Sequence, residues 1–139
     1  MPATGVSAYL NFNGSASEAI ALYERALGAT VLFVQRFGDT PEMPGASEQA
    51  DRIMHATLSI GTSSLMISDA MPGVAVTPGT NTHGCLQYAD LADVDAQFAA
   101  MSEGARVLMP LENTFWGARF GMLVDRFGIS WMFNAELPK

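Results

Sequence analysis

Short stretches in which apolar and polar residues alternate run along this chain, interrupted twice by stretches in which apolar residues return every three or four positions. The first pattern predicts strands and the second predicts amphipathic helices. The strand Ala8-Tyr9-Leu10-Asn11-Phe12 leads into Ser15-Ala16-Ser17-Glu18, whose Ser15 and Glu18 have capping-box spacing. Ala16, Ala19, Ile20, Tyr23 and Leu27 then form one apolar stripe, and Gly28 stands where a left-handed helix cap is wanted. A strand is expected from Thr30 to Arg36, followed by strands from Ile53 to Ile60 and from Ser63 to Ser68.

The same order then returns. A strand from Gly84 to Tyr88 precedes a helical stripe of Leu91, Val94, Phe98 and Met101 that closes at Gly104. A strand from Ala105 to Met109 follows, and then a hairpin. In that hairpin one long strand carries Thr114-Phe115-Trp116-Gly117 onward to Val124, a tight turn spans Asp125 to Gly128, and a second strand carries Ile129 to Asn134. Gly128 supplies the positive φ that the reversal needs. Period two places Trp116, Phe120 and Met122 on one side of the long strand and Phe115, Gly117, Arg119 and Gly121 on the other.

The pattern is therefore βαβββ twice, at an interval of about 75 residues, which is too long for a solenoid and suits two halves of one domain. The expected organisation is a single domain over residues 1–139, with module one at about 6–70, a linker at about 71–82 and module two at about 83–135. Two irregular loops are expected, Gly38 to Gln49 and Met71 to Thr82; the first is long enough to cover a pocket mouth.

Composition narrows the function. The chain is 49% apolar and 15% charged, with no apolar run near the roughly 20 residues of a membrane helix. A net charge of −7 disfavours nucleic acid, whose binding relies on Lys and Arg at phosphates. Lys139 is the only lysine, which leaves no candidate for Schiff-base chemistry within the folded body. Cys85 is the only cysteine and is expected as a small buried thiol in its strand. With no internal disulfide and no signal-like start, the expected compartment is the cytoplasm.

The residues Tyr9-Leu10-Asn11-Phe12, Ala19-Ile20 through Tyr23, Leu27-Gly28-Ala29, His55-Ala56 and Met66-Ile67-Ser68-Asp69-Ala70 carry a resemblance. It extends through Thr114-Phe115-Trp116-Gly117, Phe127-Gly128 and Trp131-Met132. Together they resemble the PhnB-like branch of the vicinal oxygen chelate superfamily, which includes glyoxalase I, extradiol dioxygenases and the bleomycin and fosfomycin resistance proteins. The resemblance covers about Ser7 to Asn134 and implies an α+β fold of two βαβββ modules forming a curved mixed sheet. It also implies a homodimer.

In metal-dependent members a divalent ion is held by His and Glu from both modules. The corresponding positions here are Ala8, His55, His83 and Met132, so only His55 and His83 offer donors suited to such an ion. Asp69 and Glu112 are the carboxylates nominated to complete the set. A methyltransferase label once attached to the branch finds no glycine pattern in the strand-to-helix turn Asn13-Gly14-Ser15-Ala16.

Two functions follow as expectations. One is a binding protein that holds a small molecule in an aromatic-lined cleft between the modules, with Tyr9, Phe115, Trp116, Phe120 and Trp131 as stacking surface and Arg119 and Asp69 orienting its polar end. The other is a lyase, isomerase or oxygenase in which a divalent metal polarises adjacent substrate oxygens.

Overall fold

The computed structural model describes residues 2–40, 42, 48–71 and 73–139. The chain divides into two compact units, Met1–Thr77 and Pro78–Lys139. Part of the loop expected from Gly38 to Gln49, at positions 41 and 43–47, lies outside the described residues. Among the described residues no helix is long and apolar enough to cross a membrane.

Unit one runs β1 (Ala8–Phe12), α1 (Ala16–Leu27), β2 (Thr30–Arg36), a 3-10 turn (Phe37–Asp39), β3 (Ile53–Ile60) and β4 (Ser63–Asp69). Its sheet has the order β1-β4-β3-β2, with β1 parallel to β4 and the other pairs antiparallel. Unit two repeats the plan as β5 (Gly84–Tyr88), α2 (Leu91–Ser102), β6 (Arg106–Asn113), β7 (Ala118–Val124) and β8 (Ser130–Glu136), in the order β5-β8-β7-β6. The duplicated βαβββ topology is the one expected, with a separate four-stranded mixed sheet in each unit.

Each helix covers one face of its own sheet, because the apolar stripe must be buried. All five residues of the α1 stripe are buried, joined by Leu22 and Ala26. They meet Phe12, Ala56, Leu58, Leu65 and Ile67, which are also buried. In unit two Val94, Phe98 and Met101 of α2 are buried, and the Phe98 ring meets Phe133 edge-on at 5.0 Å. The opposite face of each sheet, away from its helix, is here called the open face.

The expected capping box of α1 is absent. Ser15 makes no side-chain capping bond, and the helix start is satisfied from β4 instead: Asp69 Oδ1 accepts the backbone N–H of Ala16 at 3.0 Å and of Gly14 at 2.8 Å. Its Oδ2 accepts Ile53 N–H at 2.8 Å. A buried carboxylate thus ties together the starts of α1 and β3, where the positive end of the helix dipole favours negative charge.

The long strand expected from Thr114 to Val124 is divided. β6 continues through Pro110 to Asn113, and residues 114–117 turn the chain into β7. Thr114 closes this turn: its Oγ1 donates to Ala118 O at 3.0 Å, and its backbone N–H donates to the same carbonyl at 2.7 Å. The turn at Asp125 to Gly128 is as expected, with Gly128 N–H donating to Asp125 O and Gly128 at φ 91°. Asp125 Oδ1 accepts Phe127 and Ile129 N–H, and its Oδ2 accepts the indole N–H of Trp131 at 2.9 Å.

Candidate functional site

On the open face of unit one, strand register sets eight side chains in two rows. Asn11, Ser68, His55 and Gln35 form one row, and Tyr9, Met66, Thr57 and Phe33 form the other. The alternation that buries Phe12, Leu65, Ile67, Ala56 and Leu58 against α1 turns these neighbours the other way.

His55 stands near the middle. Its Nδ1 lies 3.2 Å from the Tyr9 hydroxyl and its Nε2 lies 3.2 Å from Thr57 Oγ1. The rings of Tyr9 and Phe33 lie 5.8 Å and 6.1 Å from the imidazole, both tilted, and the two residues are 45% and 50% exposed. Such exposure of two aromatic rings beside an imidazole leaves apolar surface available to a partner.

The row of Asn11 and Ser68 continues into a recess of about 530 Å³ at the end of the sheet. Ser68 Oγ donates to Asn11 Oδ1 at 3.1 Å on its floor. Phe37, Met54, Met71, Val74 and Val76 supply apolar walls. Asn13 anchors the segment that closes it, since Asn13 Nδ2 donates to Val76 O at 3.0 Å and Asn13 Oδ1 accepts Val76 N–H at 3.1 Å.

In unit two the open face is softer. Phe120 and Met122 of β7 lie beside Asn134 and Met132 of β8, which in turn lie beside Gln87 and Cys85 of β5. Asn134 Nδ2 donates to Gln87 Oε1 at 2.9 Å. Trp116, from the preceding turn, meets Phe120 edge-on at 6.0 Å and Phe115 edge-on at 5.1 Å.

The residues nominated from sequence are distributed over both units. Tyr9 lies on the open face of unit one, beside His55. Asp69 is 4% exposed and its oxygens are engaged by three backbone N–H groups. Phe115 and Trp116 are exposed on the 114–117 turn of unit two, Phe115 almost completely at 97%. Arg119 faces α2, where its Nε donates to Asp95 Oδ1 at 2.6 Å and its Nη1 to Asn113 Oδ1 at 3.0 Å. Gly121 shares that face because Phe98 and the Leu111 backbone occupy the space a side chain would need. The Arg and Gly side of the strand is therefore its helix side.

His55 belongs to unit one, and His83 stands just before β5 in unit two, partly buried. Ala8 pairs with Leu65 on the helix face of its sheet, so the β1 residue that reaches His55 is Tyr9. Glu112 lies exposed on the edge strand β6, opposite Phe120. Among the described residues no three His, Cys, Asp or Glu side chains group as metal ligands. The donors around His55 are hydroxyls and amides, which do not fit a hard divalent ion that takes carboxylates and imidazoles.

Sequence reasoning missed Phe33, Asn11, Ser68 and the 73–76 segment. Period two starting from Tyr9 places Asn11 on the same face, and that signal was present. No short-range pattern marks Val76 as the partner of Asn13.

Cys85 is exposed where a buried thiol was expected, because Leu86 takes the helix side of β5. Partial burial of its sulfur pushes its pKa above the ordinary thiol value. Alkylation by iodoacetamide should accordingly be slow at neutral pH and still limited by ionisation above about pH 8.5, the free-thiol value. A rate that levels off near pH 7 would contradict this.

The chain belongs to the Glyoxalase/Bleomycin resistance protein/Dioxygenase superfamily, which its sequence matches over residues 7–133. Protein YjdN of Escherichia coli K12 is 34% identical over 139 residues, covering 93% of each chain. The crystal structure of protein PA1353 from Pseudomonas aeruginosa matches with a TM-score of 0.87 at 40% identity, covering 98% of this chain and 100% of that one. The PhnB protein of Bacillus cereus, whose name also carries a 3-demethylubiquinone-9 3-methyltransferase label, matches with a TM-score of 0.76 at 22% identity. That match covers 95% of this chain and 99% of that one. At that identity the likeness bears on the fold, which is the fold of the PhnB-like branch that the sequence motifs resemble.

Proposed function

We propose that the chain is a small-molecule-binding protein whose unit-one open face holds a planar, partly apolar guest. The recess of about 530 Å³ at the end of that face carries this reading. Its size falls within the range of roughly 300–1,000 Å³ found for ligand pockets, and apolar walls with a few fixed polar groups are what such pockets use. Asn11 and Ser68 supply the polar floor, while Tyr9 and Phe33 offer stacking surface on either side of His55. Membership of a superfamily that includes bleomycin and fosfomycin resistance proteins supports small-molecule binding as the role.

Titration of ¹⁵N-labelled protein with benzamide, a neutral aromatic amide, tests the site. Perturbation is expected at the amides of Tyr9, Asn11, His55 and Ser68, with affinity falling about 5- to 10-fold in Asn11→Ala, the cost of about 1–1.5 kcal/mol for one lost hydrogen bond. Perturbation confined to other residues, or none at millimolar benzamide, would overturn the assignment.

We also read the protein as a cytoplasmic homodimer. Support comes from the edge strands β2 and β6, which expose Leu32, Phe33 and Val34 and Val107, Leu108 and Met109 respectively. Unpaired apolar edges of this kind favour a partner. Sedimentation of a 14.8 kDa monomer alone at micromolar concentration would refute the dimer.

A further inference from the structure

The only cysteine of the chain and three of its nine methionines stand in a single row across the four strands of sheet two. Cys85 of β5 pairs with Met132 of β8, Met132 with Met122 of β7, and Met122 with Met109 of β6. All lie on the open face, because the residues flanking them point to α2. Phe133 meets Phe98, a side chain at Gly121 would strike Phe98, and one at Gly84 would strike the buried Trp131.

We propose that Cys85, Met132 and Met122 form a binding site for a soft monovalent metal ion, Cu(I), with Met109 beside it at the sheet edge. Thiolate and thioether ligands select Cu(I), whereas the hard divalent ions prefer oxygen and imidazole donors. Neighbouring strands lie about 4.7–4.9 Å apart, so Cys85 and Met122 flank Met132 from the strands on either side of it. Methionine has three rotatable bonds, so the two thioethers can swing toward the sulfur of Cys85 without moving the backbone.

Gln87 Nε2 donates to Cys85 Sγ at 3.3 Å, which orients the sulfur. Cys85 is exposed, and Met122 and Met132 are only partly buried, so an ion has access from solvent. A row meant only to fill an apolar surface needs no thiol. Binding converts the thiol and Cu(I) into a copper thiolate and a released proton, with no change in oxidation state. The site lies in unit two and shares no residue with the proposed ligand face of unit one.

Anaerobic titration of the full chain with Cu(I), in competition with bicinchoninate and with proton release measured in weakly buffered solution, tests the proposal. The expected result is a single Cu(I) per chain at submicromolar affinity with release of the Cys85 proton. Met132→Leu and Met122→Leu should each weaken binding by about 10-fold or more, the scale on which even supporting changes around a metal act. Cys85→Ser should abolish it, and excess Zn(II) should not displace the copper.

Both leucine variants conserve side-chain volume and should keep the melting profile of the parent protein. No uptake tighter than micromolar, uptake unchanged in both leucine variants, or displacement by Zn(II) would each overturn the proposal.

Discussion

Replacing Asp69 by alanine should destabilise the protein by about 3–5 kcal/mol, since it strips the acceptor from three N–H groups at the starts of α1 and β3. A hydrogen bond to a charged group contributes about 1.5–3 kcal/mol, and an unsatisfied buried donor costs about 1–3 kcal/mol. The full sum is not reached because Gly14 lies near solvent and water replaces part of the loss there. Ala16 and Ile53 are both buried, and their donors have no such relief.

Urea denaturation should show the midpoint falling at constant slope, and the melting temperature should fall by on the order of 10 °C. Asp69→Asn, which keeps one acceptor oxygen, should recover part of the loss. A loss under about 1 kcal/mol for the alanine variant would mean that the freed donors find other partners.

Gly84→Ala should cost about 2–4 kcal/mol, from overpacking together with a weakened hydrogen bond to a carboxylate. A Cβ at Gly84 would lie 2.6 Å from Trp131 Cζ3 and 2.7 Å from its Cε3, so the indole has to move. It has little freedom to do so. The ring is 3% exposed, and its N–H is held by Asp125 at 2.9 Å, within the turn that joins β7 to β8. Relief of the clash therefore disturbs that turn as well. Trp131 fluorescence should shift to longer wavelength as the ring is displaced toward water. An alanine variant with the parent spectrum and midpoint would show that the strand pair can open at no cost.

These two sites also show what a sequence can and cannot disclose. The strand bounds Thr30 to Arg36, Ile53 to Ile60 and Gly84 to Tyr88 were legible because alternation is a local property, and the α1 stripe was legible for the same reason. The α1 cap was not. Ser15 and Glu18 have the right spacing, but Asp69 supplies the acceptor from 53 residues away and no local pattern announces it. The aromatic run at Phe115 and Trp116 reads as strand by composition, yet Thr114 and Gly117 close it into a turn.

Arg119 shows the same limit in the candidate site. Period two correctly placed it on one side with Gly121, but spacing does not say which side carries the helix, and Asp95 on α2 decides its partner. Arg119 and Asp69, nominated for the polar end of a guest, both also serve the fold. Beside Asp69, the amide and hydroxyl of Asn11 and Ser68 line the recess. Such neutral groups carry no charge signature in a sequence and come together only through the parallel pairing of β1 with β4.

Asn11 with Ser68 in one sheet and Gln87 with Asn134 in the other occupy matching rungs of two equivalent parallel ladders, each joined by a side-chain hydrogen bond. The molecule consequently carries its own reference copy. A change made on one rung can be judged against its untouched twin in the same tube, at the same concentration and in the same solvent, which separates local chemistry from any general softening of the scaffold.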